Sequence, residues 1–139
     1  MKVLIAVDGS TFGAKALDFA LANPAMFGSA ELALIHVAHP VPPRAASAVG
    51  AEIVAAHYAH EHDDALRAAR ERLAAAGRRA AEIVTVGHPG ALIAKEADEG
   101  GHDIVIMGSH GHGAVLGLLL GSTVSKVLAN SKKPVLVVR

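Results

Sequence analysis

The amino-acid sequence predicts an α/β fold: a Rossmann-like, doubly wound, five-stranded parallel sheet with helices on both faces. Short apolar runs rich in β-branched residues alternate along the chain with longer helical segments. Such alternation is typical of parallel strands that are covered on both faces. Right-handed crossovers then place helices on both sides of the sheet. Because these elements account for all 139 residues, we expect residues 1–139 to form a single domain.

The first strand–helix–strand unit begins almost at the first residue. Val3–Val7 is an apolar run ended by Asp8-Gly9-Ser10, which predicts a buried strand followed by a turn. Ser10 or Thr11 is suited to cap the helix that follows, and Asn23-Pro24 ends it. Glu31–Val37 then predicts the second strand.

The remaining elements follow a proline-rich loop. We expect a long alanine-rich helix that ends at Gly77, then a weakly alternating third strand, a short helix, a fourth strand, a glycine-rich loop, and a last helix and strand. Their predicted bounds are Ser47–Ala76, Ala80–Val86, Pro89–Glu99, Asp103–Met107, Ser122–Asn130 and Val135–Val138.

Composition excludes several classes of function. Lys plus Arg equals Asp plus Glu at 13 each, and the chain has three Phe, one Tyr and no Trp. It therefore lacks both the basic charge and the aromatic platforms expected of a nucleic-acid binder. The absence of cysteine excludes disulfides and thiolate chemistry. No apolar run approaches the roughly 20 residues of a membrane span, so we expect a soluble cytoplasmic protein with no membrane partner.

The segment from Gly108 to Ser122 leaves the fourth strand through a glycine turn and re-enters a helix through Gly121-Ser122. Glycines let a backbone approach a ligand closely. A helix N-terminus offers unpaired N–H groups and a positive dipole end, which suit phosphate. Taken alone, these residues are equally consistent with a turn and a capped helix. The segment has no Walker lysine and does not match the dinucleotide fingerprint.

The spacing of these glycines carries a family resemblance. Gly108-x-x-Gly111, then nine residues, then Gly121-Ser122 reproduces the pattern G-2x-G-9x-G-S/T of ATP-binding universal stress proteins. The rest of the chain also resembles that family, at Val7-Asp8-Gly9-Ser10, Ile35-His36-Val37, Val105–Ser109 and Pro134–Val138. The resemblance covers essentially the whole chain and implies that the protein binds ATP.

The resemblance also implies a role for individual residues. The glycines of the pattern and Ser122 would hold ribose and phosphates, Asp8 and Val37 would lie along adenine and ribose, and Ala6 and Val7 would form the pocket floor. The full set of implied nucleotide-binding residues is Ala6, Val7, Asp8, Val37, Met107, Gly108, His110, Gly111, Gly121, Ser122, Thr123 and Val124.

Two of these positions call for a specific expectation. Asp8 is a candidate for ligand hydroxyls or for a water on Mg²⁺, and its alternative role is to cap the following helix. His110 stands where many members of the family carry Arg. A neutral imidazole neutralises phosphate less, so we expect lower affinity or a stronger dependence on pH.

Two further groups of residues, the histidines near position 60 and the leucines of the loop, are candidates for a role. His57 and His60 share a helix face with Asp64 nearby, whereas His62 lies off that face; a solvated surface is favoured over a Zn²⁺ or Ni²⁺ site. No carboxylate lies close in sequence to His110 or His112, so we predict no catalytic residues. The apolar loop residues are expected to pack beneath the site, with an exposed subunit contact as the alternative; they are Leu116, Leu118, Leu119 and Leu120.

We therefore predict an ATP-binding stress-response or regulatory protein whose nucleotide-bound state is read by partners, with little or no hydrolysis. The alternative is a weak ATPase or an autophosphorylating enzyme, and a ligand-free scaffold is a further possibility. An adenylating enzyme is disfavoured because Asp8-Gly9-Ser10-Thr11 does not match the loop of that class. The last strand is expected at a sheet edge, where members of the family commonly form homodimers.

Overall fold

The computed structural model describes residues 1–112 and 120–139. Its five strands are β1 (Lys2–Ala6), β2 (Glu31–Ala38), β3 (Ala80–Val86), β4 (Ile104–Gly108) and β5 (Val135–Val138). Its helices are α1 (Thr11–Ala22), α2 (Pro24–Phe27), α3 (Pro43–Val49), α4 (Ala51–Ala75), α5 (Pro89–Glu99) and α6 (Ser122–Asn130). The strands pair in parallel in the order β3-β2-β1-β4-β5. This confirms the predicted α/β fold class.

Alternate residues of the central strands enter two separate cores, one on each face of the sheet. On one face, α1, α2 and α4 cover the sheet; the residues buried there include Ile5, Leu17, Leu34, Leu66 and Ile106. On the other face, α5 and α6 cover it; the residues buried there include Leu4, Ile35, Ile93, Val105 and Val127. Successive side chains of a strand point to opposite faces of the sheet, and here both faces are buried. This explains why the sequences of β1 and β2 are continuous apolar runs.

The strand order reverses between β1 and β4. From β1 the chain moves outward through β2 to β3, whereas β4 lies on the opposite side of β1 and leads to β5. In open parallel sheets, a crevice forms at the carboxyl ends of the two strands that flank this reversal. The ends of β1 and β4 therefore mark where a ligand site is expected.

The alanine-rich region differs from the single long helix predicted over Ser47–Ala76. Helix formation starts earlier, at Pro43, because a proline fits the first turn of a helix. Gly50 then divides the region into α3 and α4 with a φ of 89°, which a helix cannot contain. Helix α2 was not predicted either; it is a short turn with Pro24 at its first position.

The sheet has two exposed edges. β3 forms one edge and β5 the other, as expected for the last strand. No helix within residues 1–112 and 120–139 is long and apolar enough to cross a membrane.

A close backbone contact joins β4 to α1. A Cβ on Gly108 would overlap the carbonyl group of Phe12, at 2.5 Å from its carbon. The glycine therefore allows the first turn of α1 to lie directly on the end of β4, and this sets the spacing of the crevice.

We expect Gly108→Ala to lower the free energy of unfolding by about 3 kcal/mol, because the new methyl group overpacks a backbone contact. Gly77→Ala is the matched control: its φ is 62° and a Cβ there would meet nothing within 4 Å. The control should lose only about 1 kcal/mol from the left-handed backbone. Urea unfolding measures both. An equal or smaller loss at Gly108 would contradict the assigned contact.

Candidate functional site: a cavity at the carboxyl edge of the sheet

A cavity of about 480 Å³ lies at the carboxyl ends of β1, β2 and β4. Its volume falls within the roughly 300–1,000 Å³ typical of small-molecule sites. All the residues implied by the resemblance line it: Ala6, Val7, Asp8, Val37, Met107, Gly108, His110, Gly111, Gly121, Ser122, Thr123 and Val124. The structure thus brings together residues from distant parts of the chain.

One side of the cavity is apolar. Val7, Val37, Met107 and Val124 are buried where they line it. The backbone N–H of Val7 donates to the carbonyl of Ile35 at 3.0 Å, which holds the ends of β1 and β2 side by side. This wall offers a flat aromatic ligand van der Waals contact and removal from water.

The N-terminus of α6 also lines the cavity and adjoins this apolar wall through Val124. Gly121 is the N-cap residue, and no side chain in the described part of the chain caps the helix. Its N–H donates to the carbonyl of Ser109 at 2.8 Å, which fixes the helix start against the end of β4. Ser122 and Thr123 form the first turn and line the cavity. Unpaired N–H groups and the positive end of the helix dipole therefore face it.

Asp8 lies between two glycines. Its Oδ1 accepts hydrogen bonds from the backbone N–H and the hydroxyl of Ser10. A Cβ on Gly13 would lie 2.9 Å from Oδ1, and a Cβ on Gly111 would lie 2.6 Å from Oδ2. The carboxylate is thus held by local bonds in space that only glycine leaves open. Oδ2, on the side of Gly111, is the oxygen left for a ligand.

The alternative role for Asp8, capping α1, is taken by another residue. Ser10 is the N-cap residue, and its hydroxyl oxygen accepts a hydrogen bond from the N–H of Gly13 at 3.2 Å. Asp8 supports that cap through its bond to the same hydroxyl. The Asp8 carboxylate therefore contacts the capping hydroxyl and does not itself cap α1.

Each glycine of the sequence pattern also has a neighbour inside the protein. Gly108 contacts Phe12 and Gly111 contacts Asp8, as described above. A Cβ on Gly121 would lie 3.3 Å from the Cα of His110. Bulk at these positions would therefore disturb the loop itself, so a change of charge is a cleaner probe of ligand binding than a change of glycine.

Histidines supply the titratable basic groups of the cavity wall. His36, His39, His110 and His112 line it, and among the described lining residues there is no lysine or arginine. The sequence of residues 113–119 contains none either. The Nε2 of His112 donates to the backbone carbonyl of Asp8 at 2.7 Å, which ties the loop after β4 to the end of β1.

His110 has neighbours on two sides. Its Nδ1 lies 3.1 Å from the hydroxyl of Ser109. Its ring packs on that of Phe12, with the ring centroids 5.3 Å apart. The Nζ of Lys15 lies 5.5 Å from the centroid of the Phe12 ring. The imidazole is therefore positioned by packing at the mouth of the glycine-rich loop.

A histidine pair joins β2 to α4: His36 is buried and lines the cavity, and His62 is partly buried behind it. The Nδ1 atoms of His36 and His62 are 2.7 Å apart, with the rings edge to face. Burial lowers the pKa of His36, and the neighbouring His62 lowers it further. Glu61, the residue before His62, also lines the cavity.

Sequence reasoning did not find the contributions of Glu61 and His62, or the lining residues Gly13, Ile35, His39, Pro89 and Ile93. One signal was present: His62 lies off the helix face shared by His57 and His60, which indicates that it points elsewhere. What it meets on β2 depends on how α4 packs across the sheet.

The other two histidines of the α4 cluster face solvent. His57 pairs with Glu61 at 3.4 Å and His60 with Asp64 at 3.1 Å, each one helical turn apart. Their side chains are 55% and 76% exposed. No group of three or more His, Asp or Glu side chains suited to a metal ion occurs in the described part of the chain.

Part of the glycine-rich loop lies outside the described residues. The predicted packing of Leu116, Leu118 and Leu119 falls there. Leu120 is described: it is partly buried and packs against the core beneath the cavity, as expected.

Comparison with known proteins places this geometry in a family. The model of the universal stress protein family matches residues 1–139. Universal stress protein YxiE of Bacillus subtilis is 34% identical over 99% of this chain and 98% of its own length.

Solved structures agree over the whole chain. Hypothetical protein MJ0577, the name also given to a universal stress protein of Methanocaldococcus jannaschii, is 32% identical, with a TM-score of 0.80 over 99% of this chain and 94% of that one. A universal stress protein in complex with cAMP is 28% identical, with a TM-score of 0.72 over 100% of this chain and 97% of that one.

Proposed function

The chain belongs to the universal stress protein family, and from that premise we propose that it is an ATP-binding stress-response or regulatory protein. Its nucleotide-bound state would be read by partners, with little or no hydrolysis. One observation carries the proposal: a single cavity combines an apolar wall, a positioned carboxylate and an uncapped helix N-terminus. A related protein of known structure binds an adenine nucleotide, cAMP.

Adenine is assigned to the apolar side of the cavity. Val7 and Val37 stand at the ends of adjacent strands, and the base would lie against them out of water. Asp8 Oδ2 would accept a hydrogen bond from a ribose hydroxyl, since Oδ1 is already occupied by Ser10. Met107 lies on the same wall and would contact the ribose side.

The phosphates are assigned to the N-terminus of α6. The N–H groups of Ser122, Thr123 and Val124 and the two hydroxyls would donate to phosphate oxygens. Mg²⁺, when bound, would supply positive charge, since the described residues of the cavity wall include no lysine or arginine. Asp8 is the carboxylate suited to hold one of its waters.

Weak catalysis follows from the same residues. Rapid phosphoryl transfer requires cationic groups placed on the transferring phosphate. Among the described lining residues the basic groups are histidines, and residues 113–119 add no lysine or arginine. We therefore propose a binding module rather than an ATPase or an autophosphorylating enzyme.

We further propose that residues 1–139 act as one domain in the cytoplasm, where ATP is abundant.

We expect Ser122→Glu to weaken ATP binding at least tenfold in calorimetric titration with Mg²⁺. The new carboxylate at the first turn of α6 would repel phosphate, yet it suits the positive end of the helix dipole and should leave folding intact. Ser125→Glu is the matched control, since Ser125 lies one turn further on and does not line the cavity. Adenosine, which has no phosphate, should bind both variants alike.

Other outcomes of this titration would contradict the phosphate assignment or the proposed nucleotide binding. Equal weakening by the two variants would contradict the phosphate assignment, and no binding by the unchanged protein would leave a ligand-free scaffold. Phosphate release is measured on the same samples. Sustained release that Ser122→Glu abolishes would favour the weak ATPase instead.

We also propose that the protein forms a homodimer through β5. The carbonyls of Pro134 and Val138 accept hydrogen bonds from β4, so the N–H and C=O groups of Val135 and Val137 face the open edge. The four residues of β5 are only half-buried. An edge of this kind can pair with its own copy across a two-fold axis.

We expect the unchanged protein to sediment at twice the 14.2 kDa mass of the chain. Val137→Pro should sediment as a monomer with its helical signal retained, because it removes an N–H that faces the edge and no bond to β4. A Val137→Pro protein that remains dimeric would contradict pairing through this edge.

A further inference from the structure

A segment of the chain borders the cavity through His39 and Glu61 and has little burial of its own. It runs from His39 to Asp64 and comprises a proline-rich loop, α3 and the first half of α4. All of these residues are described and none is buried. The first buried residue of α4 is Ala65, and the helix is anchored by that residue and by Leu66, Ala69 and Leu73. Hydrophobic packing therefore holds only the second half of α4.

Polar contacts hold the first half of α4. Within the segment, the hydroxyl of Tyr58 accepts a hydrogen bond from the N–H of Val41 at 2.7 Å, which ties the loop to α4. The bond between His62 and His36 ties the segment to the sheet. His36 is only 5% exposed, so this bond lies at the inner wall of the cavity.

The number of protons on the pair decides whether this bond exists. The two Nδ1 atoms are 2.7 Å apart, so one must carry a hydrogen and the other must not. A first additional proton leaves the bond intact, because the donor ring can take it on its Nε2. A second proton puts a hydrogen on both Nδ1 atoms and places two positive rings in contact. The bond is then lost.

The surroundings decide which ring is protonated last. Burial and His62 lower the pKa of His36, and His112 from the loop after β4 lowers it to a smaller degree. The carboxylates of Glu61 on α4 and Asp8 after β1 act in the opposite direction, but more weakly than burial and His62. His36 is therefore the acceptor, and it resists protonation until the pH falls below the ordinary histidine range.

We propose that the His36–His62 hydrogen bond is a proton-controlled latch, which holds segment 39–64 beside the cavity and releases it when both rings are protonated. Glu61 would leave the cavity wall with the segment, because it precedes His62 on the same helix. The latch itself is independent of the ligand. Its consequence for nucleotide binding rests on the function proposed above: a bound nucleotide would oppose release.

The sign of the pH effect is fixed by the pair. His36 has a lower pKa in the folded protein than in an unfolded chain, so it favours the folded, latched state above the ordinary histidine pKa. That contribution is lost as the pH falls from about 6.5 toward the lowered value. Acid should therefore loosen the segment before it unfolds the sheet.

Hydrogen exchange without nucleotide tests the latch. After correction for intrinsic rates, protection of residues 51–62 should fall more than that of residues 66–73 between about pH 7.5 and about pH 5.5. The extra loss should be several-fold and at most about tenfold, because one proton separates the latched from the released state. His62→Leu removes the latch and should give low protection of residues 51–62 at both pH values. His57→Leu changes an exposed histidine on the same helix and should behave as the unchanged protein.

Two results would overturn the latch: equal loss of protection in both halves of α4, or His62→Leu behaving like His57→Leu. ATP added at the lower pH should restore protection of residues 51–62. If ATP binds by calorimetry without restoring protection, the link between latch and cavity is wrong. If ATP does not bind at all, the proposed nucleotide function fails, and exchange without nucleotide still decides the latch.

Discussion

The rest of the site depends on the close approach of the first turn of α1 to the end of β4. This approach is possible because Gly108 has no side chain to meet the backbone of Phe12. It brings the loop after β4 against the end of β1, where the carboxylate of Asp8 fits between Gly13 and Gly111. The reversal of strand order at the same place opens the cavity. Steric constraints on glycine therefore shape both the fold and the site.

Much of this arrangement is predictable because it is encoded locally. Apolar runs define the strands, and the spacing from Gly108 to Ser122 identifies the loop that joins β4 to α6. The site residues that the family resemblance implies all line one cavity. The break at Gly50 is also local, but a lone glycine in an alanine-rich stretch does not reveal that its φ is positive. The pairing of His36 with His62 is different, since it depends on how α4 crosses β2.

The charge of the site comes from weak and adjustable sources. A helix dipole, histidines and the carboxylates of Asp8 and Glu61 line the cavity, and its described lining residues include no lysine or arginine to provide permanent positive charge. This charge distribution underlies our proposal that the nucleotide is bound and read rather than turned over. The latch fits this picture, because protons act on the same wall that the nucleotide would contact.

The most direct test of the central claim is the assignment of backbone amide shifts during titration with MgATP. We expect the largest shifts at Ser122, Thr123 and Val124, with a second group at Val7 and Val37. Adenosine should move the second group and leave the first almost unchanged. Shifts confined to surfaces away from the cavity, or equal effects of ATP and adenosine at α6, would contradict a phosphate site at this helix N-terminus.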